Sequence, residues 1–105
     1  MKNEVYYNDL YAVYAPLLTE RQKDVFDLYY GCDLSLGEIA EMKNISRQGV
    51  AACLSACEKL LAEYEEKLGF LAKRGEILRA IGNAGDLGSL KISLKKILGD
   101  ADGDI

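Results

Sequence analysis

The residues with chemical reach in this sequence are few: Cys32, Cys53 and Cys57, the helix-spaced carboxylates Asp24, Asp27, Glu38 and Glu41, and the run Ser46-Arg47-Gln48. There is no histidine among 105 residues. That removes the neutral-pH imidazole base, the Cys/His zinc site and the Ser-His-Asp triad together. Cys53 and Cys57 are four apart and would share one helix face, but two thiolates without further Cys or His cannot complete a tetrahedral site. They read as small buried hydrophobes. The odd cysteine count, the lack of a C-x-x-C pair and the absence of an apolar signal segment in MKNEVYYNDL imply reduced thiols and a cytoplasmic protein. The four carboxylates have no nucleophile or metal partner in view and read as exposed helix-face charges. No enzyme, no metal and no cofactor are expected. Ser46, Arg47 and Gln48 offer another chemistry: Arg pairs with guanine or a phosphate, and Gln pairs with adenine. They need a helix N-terminus to aim them.

The punctuation of the chain supplies one. Half of the residues are apolar, the only proline is Pro16, and almost every break is a helix signal. Asn3 can cap a first helix from about Glu4 to Ala15, with Tyr7, Leu10, Tyr11 and Tyr14 on one face, ended by Pro16. Thr19 with Gln22 makes a capping box for a second helix through Val25, Phe26, Leu28 and Tyr29 that stops at Gly31. Ser35 with Glu38 makes another, opening a short helix from Leu36 to about Met42. Asn44 is the non-glycine residue best able to take a left-handed turn. Ser46 then caps a helix of about 22 residues, roughly 33 Å, from Arg47 to Gly69. Phe70 to Ile81, closed by Gly82, and Leu87 to Leu98 form a C-terminal hairpin over 70–98 with Gly85-Asp86 as its turn. No run approaches the roughly 20 apolar residues that span a bilayer, so no membrane insertion is expected. The expectation is a single helical domain over 1–99 with a frayed acidic tail at 100–105.

Two capped helices separated by three residues have the form of a helix-turn-helix at 35–57. The first would pack through Ile39 and the small Ala40, over which the second crosses; the second packs back through Val50 and Cys53, with Ile45 plugging the turn. A helical bundle with well-made caps would bury similar residues.

The stretch LLTERQKDVFDLYYGCDLSLGEIAEMKNISRQGV, Leu17 to Val50, resembles the YlxM family of small bacterial helix-turn-helix proteins, and the likeness continues through EKLLAEYEEKLGF, Glu58 to Phe70. The order and spacing of LTERQ, LYY, LSLGEIA and SRQGV carry it. The resemblance implies an all-α fold of the winged-helix-like DNA-binding superfamily, similar to the promoter-reading region 4 of sigma factors. It also implies five to six helices, one of them a long recognition helix. A cytoplasmic homodimer with a regulatory role in the signal recognition particle pathway is implied as well.

In that motif the exposed residues Ser46, Arg47, Gln48, Ala51, Ala52 and Ser55 would face DNA. Gly49 and the uncharged run Ala51 to Cys57 are bare for a reader: either the helix approaches DNA or a partner closely there, or these small residues pack on another helix. The charge sharpens this. Residues 1–45 hold four basic and eight acidic residues, 46–69 three and four, and 70–99 six basic against two acidic, before three tail aspartates bring the chain to −4. The positive charge therefore sits on the hairpin. There Lys73, Arg74, Lys91, Lys95 and Lys96 are either a solvated face or a phosphate patch for RNA, which would make the chain an adaptor for a signal recognition particle protein or RNA. Tyr7, Leu10, Tyr11, Tyr14, Leu61 and Tyr64 are the expected homodimer interface, because tyrosine suits core edges and subunit contacts.

Overall fold

A computed structural model describes residues 3–99; the acidic tail at 100–105 lies outside them. The order is α1 (Glu4–Tyr14), a 3-10 turn (Ala15–Leu17), α2 (Glu20–Phe26), a π-helical turn (Asp27–Gly31), α3 (Leu36–Lys43), α4 (Arg47–Leu68), α5 (Phe70–Asn83) and α6 (Leu87–Leu98). Among the described residues there is no strand. The all-α fold and the six helices are those read from the sequence.

Local chemistry sets most of the boundaries. In both capping boxes the hydroxyl of the cap accepts the N3 amide, Thr19 from Gln22 and Ser35 from Glu38, each at 3.1 Å, and the N3 side chain accepts the cap's own N–H at 2.9 Å. The Ser35 amide and hydroxyl hold the Glu38 carboxyl below its ordinary range. Asn3 stands at the N-cap of α1 but makes no side-chain cap bond. Pro16 falls in the 3-10 turn rather than stopping the chain outright. The second helix reaches Gly31 only by widening into the π turn, which the sequence pattern does not announce. α5 runs through Gly82 to Asn83, two residues beyond its expected end. Asp86 caps α6 by accepting the Ser89 amide at 2.7 Å, and Gly99 closes it in the left-handed region.

Gly69, with φ +65°, separates α4 from α5. There the chain divides into two compact units, one ending at Leu68 and one beginning at Gly69. The stretch 1–99 expected as a single domain takes in the first unit and the helices of the second. In the first, α4 packs against α1, α2 and α3. Among the described residues every buried apolar side chain belongs to it: Leu10, Tyr14, Leu18, Val25, Phe26, Tyr30, Ile39, Ala40, Val50, Leu54, Cys57 and Leu61. Phe26 is its centre, stacked on Tyr11 at 4.1 Å between ring centroids and on Tyr30 at 4.5 Å. The second unit is the hairpin of α5 and α6, packed on each other, in which no residue is fully buried. No described helix is long and apolar enough to cross a membrane.

Candidate nucleic-acid interface

α3 enters the first unit through Ile39, fully buried, and Ala40 beside it. It ends on Asn44 at φ 54°, ψ 47°, the left-handed conformation that asparagine tolerates better than other residues with a Cβ. Asn44 turns the chain so that the Ile45 amide returns to the Ala40 carbonyl at 3.1 Å. The helix end is thereby closed, and α4 begins two residues later. Ser46 caps α4, its Oγ accepting the Gly49 amide at 2.9 Å. The expected helix-turn-helix therefore stands, with Ile45 half-buried in the turn.

The face that α4 buries determines the face it offers. Val50, Leu54, Cys57 and Leu61, spaced four, three and four, are the buried set; Cys53, expected to pack back with Val50, is only half-buried. Gln48, Ala52 and Ser55 follow the same spacing on the outer side and are exposed, as are Ser46 and Arg47. Ala51 is half-buried and sits at the edge of this face. The outer spacing continues to Lys59, also exposed, a cation that the sequence reading passes over. Its 3-4 register from Gln48 is the signal that finds it.

Glu58 is not on that face, because it turns inward to accept the Tyr30 hydroxyl at 2.5 Å. Burial first, then this bond, pushes the Tyr30 phenol well above its usual range. Gly49 also has a local explanation. A Cβ there would lie 3.2 Å from Ser46 Oγ and 3.9 Å from Ile45 Cδ1, so the small residue leaves room for the cap and the turn. Neither close approach to DNA nor packing on a distant helix is needed to account for it.

The remaining chemically interesting residues are committed to structure. Asp24 pairs with Lys43, and Glu38 serves the α3 cap. Burial, with the influence of the Asp27 carboxylate second, lifts the Tyr11 phenol to about 12. An open cleft of about 610 Å³ lies beside Tyr11 and Ile45, but Asp24 and Lys43 on its wall neutralise each other. Among the described residues no cluster of three or more Cys, Asp or Glu could hold a metal. Burial raises the Cys57 thiol to about 12, with Cys53 next in effect, so it stays protonated at neutral pH. Since the thiolate is the nucleophile, alkylation at pH 8 should modify exposed Cys32 quickly and leave Cys57 unmodified until the chain is denatured; mass spectrometry of timed iodoacetamide reactions checks this.

Two expected groupings are corrected. Leu10, Tyr14 and Leu61 are 0%, 2% and 0% exposed within one chain, so they cannot form a homodimer interface. Tyr14 donates to Glu65 at 2.6 Å and lies against Tyr64, while Tyr11 is spent on Phe26. Tyr7 is half-buried against Tyr30. Three of the six residues expected at a subunit contact thus belong to the chain's own core, and Tyr7, Tyr11 and Tyr64 are half-buried. The five hairpin cations do not make one patch either. Lys73 donates to the Ile97 carbonyl at 2.6 Å, Lys95 is half-buried, and Lys96 lines a shallow groove with Glu76 and Arg79. Arg74 and Lys91 fall on the opposite side of their helices.

The model of the family UPF0122, described as "Putative helix-turn-helix protein, YlxM / p13 like", matches residues 1–87. The chain belongs to this family. The UPF0122 protein TTE1463 of Caldanaerobacter subterraneus subsp. tengcongensis is 49% identical over 72 residues, 69% of this chain and 62% of the relative. A UPF0122 protein of Desulforamulus reducens is 54% identical over 66 residues, 63% of this chain and 56% of the relative. UPF0122 protein BH2485 of Halalkalibacterium halodurans is 44% identical over 98 residues, 90% of each chain. The matched part thus spans about three-fifths of the first two UPF0122 relatives. The UPF0122 match takes in the whole of the turn at Asn44 and the exposed face of α4.

Proposed function

We propose that this chain is a cytoplasmic, non-enzymatic helix-turn-helix regulator that binds duplex DNA with the first turns of α4, and that it serves the signal recognition particle pathway to which the YlxM resemblance attaches it. Arg47 and Gln48 are the readers, Ser46 orders the helix start, and Ala52 and Ser55 lie along the groove with Ala51 at their edge. The observation that carries this reading is the α3–Asn44–α4 geometry, which presents these residues outward at a helix N-terminus. There the aligned amides favour a phosphate. From Gln48 to Lys59 the outer face has no carboxylate to repel DNA, since Glu58 is turned to Tyr30.

The adaptor reading requires Lys73, Arg74, Lys91, Lys95 and Lys96 on one surface. Their distribution over the two sides of the hairpin gives it no support of its own.

Fluorescence anisotropy with labelled duplex DNA at several salt concentrations tests the proposal. Binding should weaken steeply with salt. Arg47→Ala should cost about 1–3 kcal/mol if Arg47 pairs with a base, and should reduce the salt slope by about one if it contacts a phosphate. An affinity that neither salt nor Arg47→Ala changes sinks the reading.

A further inference from the structure

The hairpin has an inner seam, a polar side and an apolar side. Half-buried Ile77 and Ala80 of α5 and Leu90, Leu94 and Ile97 of α6 form the seam between the two helices. Glu76, Arg79, Asn83, Ser93 and Lys96 line the groove on one side of it. Half a helical turn away from those residues stand Arg74, Leu78 and Ile81 on α5, spaced four and three. On α6 the corresponding set is Leu87, Lys91 and Leu98, spaced four and seven. These four apolar side chains are large and exposed: Leu78 50%, Ile81 54%, Leu87 66% and Leu98 51%.

We propose that this side of the hairpin rests on the surface of an anionic lipid bilayer. Charge complementarity selects that occupant. Residues 70–99 carry a net +4 in a chain that is otherwise acidic, and Arg74 and Lys91 stand within the apolar set itself. Long basic side chains bury their stems beside apolar surface and reach their charges out to headgroups. A second hairpin laid face to face would bring Arg74 and Lys91 of both copies together, a like-charge contact. A partner helix would seat in a groove, and the hairpin's groove is on the other side, among polar residues. Nucleic acid would use the cations and leave the four apolar side chains without a role. Lying in the interface demands no spanning segment, only an amphipathic face with basic residues. The three tail aspartates reduce residues 70–105 to +1, so the apolar face and the two cations must act together.

The test is co-sedimentation of the full chain with vesicles of phosphatidylcholine alone and of phosphatidylcholine with phosphatidylglycerol, at low and high salt. Partition onto the anionic vesicles should exceed that onto neutral ones by tenfold or more and fall with salt. Arg74→Gln and Lys91→Gln should each lower it about fivefold, and Leu78→Asn with Leu98→Asn by tenfold or more. Circular dichroism must show unchanged helicity in each variant. Three results would overturn the proposal: no anionic preference, partition that survives the paired leucine substitutions, or a wild-type dimer that those substitutions turn into monomer. The last would assign the face to a second copy of this chain.

Discussion

Phe26→Ala should reduce the stability of the first unit by about 3–5 kcal/mol, the usual cost of removing a buried phenyl ring. Phe26 is 1% exposed and stacks on Tyr11 with an interplanar angle of 8°. Tyr30, stacked on the ring, is tied to Glu58 and does not swing in to fill the space. A unit of fewer than 70 residues has little stability in reserve. At about 4–8 °C per kcal/mol for a domain of this size, the melting temperature should fall by roughly 12–40 °C. The helical signal near 222 nm on heating reports it. A melt within a few degrees of wild type would show that the aromatic stack is not the centre of the core. Met42→Ala is the useful control, since Met42 is 62% exposed and substitution there should change stability by no more than about 0.5 kcal/mol.

The second large effect is expected at Ala40. It lies next to Ile39 on the side of α3 that is buried, and α3 packs on α4. Leucine in its place adds three carbons to a closely filled site, at a cost of about 1–3 kcal/mol. The carbonyl of Ala40 also receives the Ile45 amide that closes the turn, so strain there reaches the start of α4. Ala40→Leu should therefore weaken the DNA binding proposed above tenfold or more even under conditions where the variant remains folded. Ala40→Gly separates the two causes: it costs about 1 kcal/mol of helix propensity but adds no bulk, and should bind nearly as wild type. Equal losses of binding in the leucine and glycine variants would show that bulk at this position is not what matters.

What was legible in the sequence was the chemistry that acts within a turn of helix. The boxes at Thr19/Gln22 and Ser35/Glu38, the left-handed Asn44, the Ser46 cap and the full length of α4 all depend on residues within a few positions of each other. What was hidden depends on partners far along the chain. Leu10, Tyr14 and Leu61 look surplus when counted by helix, and only their convergence from α1 and α4 shows that one core absorbs them. Glu58 reads as the first charge after a bare helix face, yet its partner Tyr30 lies 28 residues away. The π turn over Asp27–Gly31 and the left-handed Asp33, at φ 55°, are likewise not announced by a cap or a periodic pattern. The five hairpin cations were a count until the inner seam of α5 and α6 sorted them onto different sides.

The two phenol–carboxylate bonds have a mechanical consequence for the outer face of α4. Glu58 and Glu65 are seven residues apart, which places them along one edge of α4, and each is held by a tyrosine from another element, Tyr30 and Tyr14. A helix cylinder packed only by aliphatic side chains can roll about its axis at small cost. One pinned at two heights along the same edge cannot, because a roll of a single residue, 100°, would carry both carboxylates away from their donors. The compass bearing of Arg47 and Gln48 is thus fixed by anchors in the middle and far half of the same rod, well away from its N-terminus.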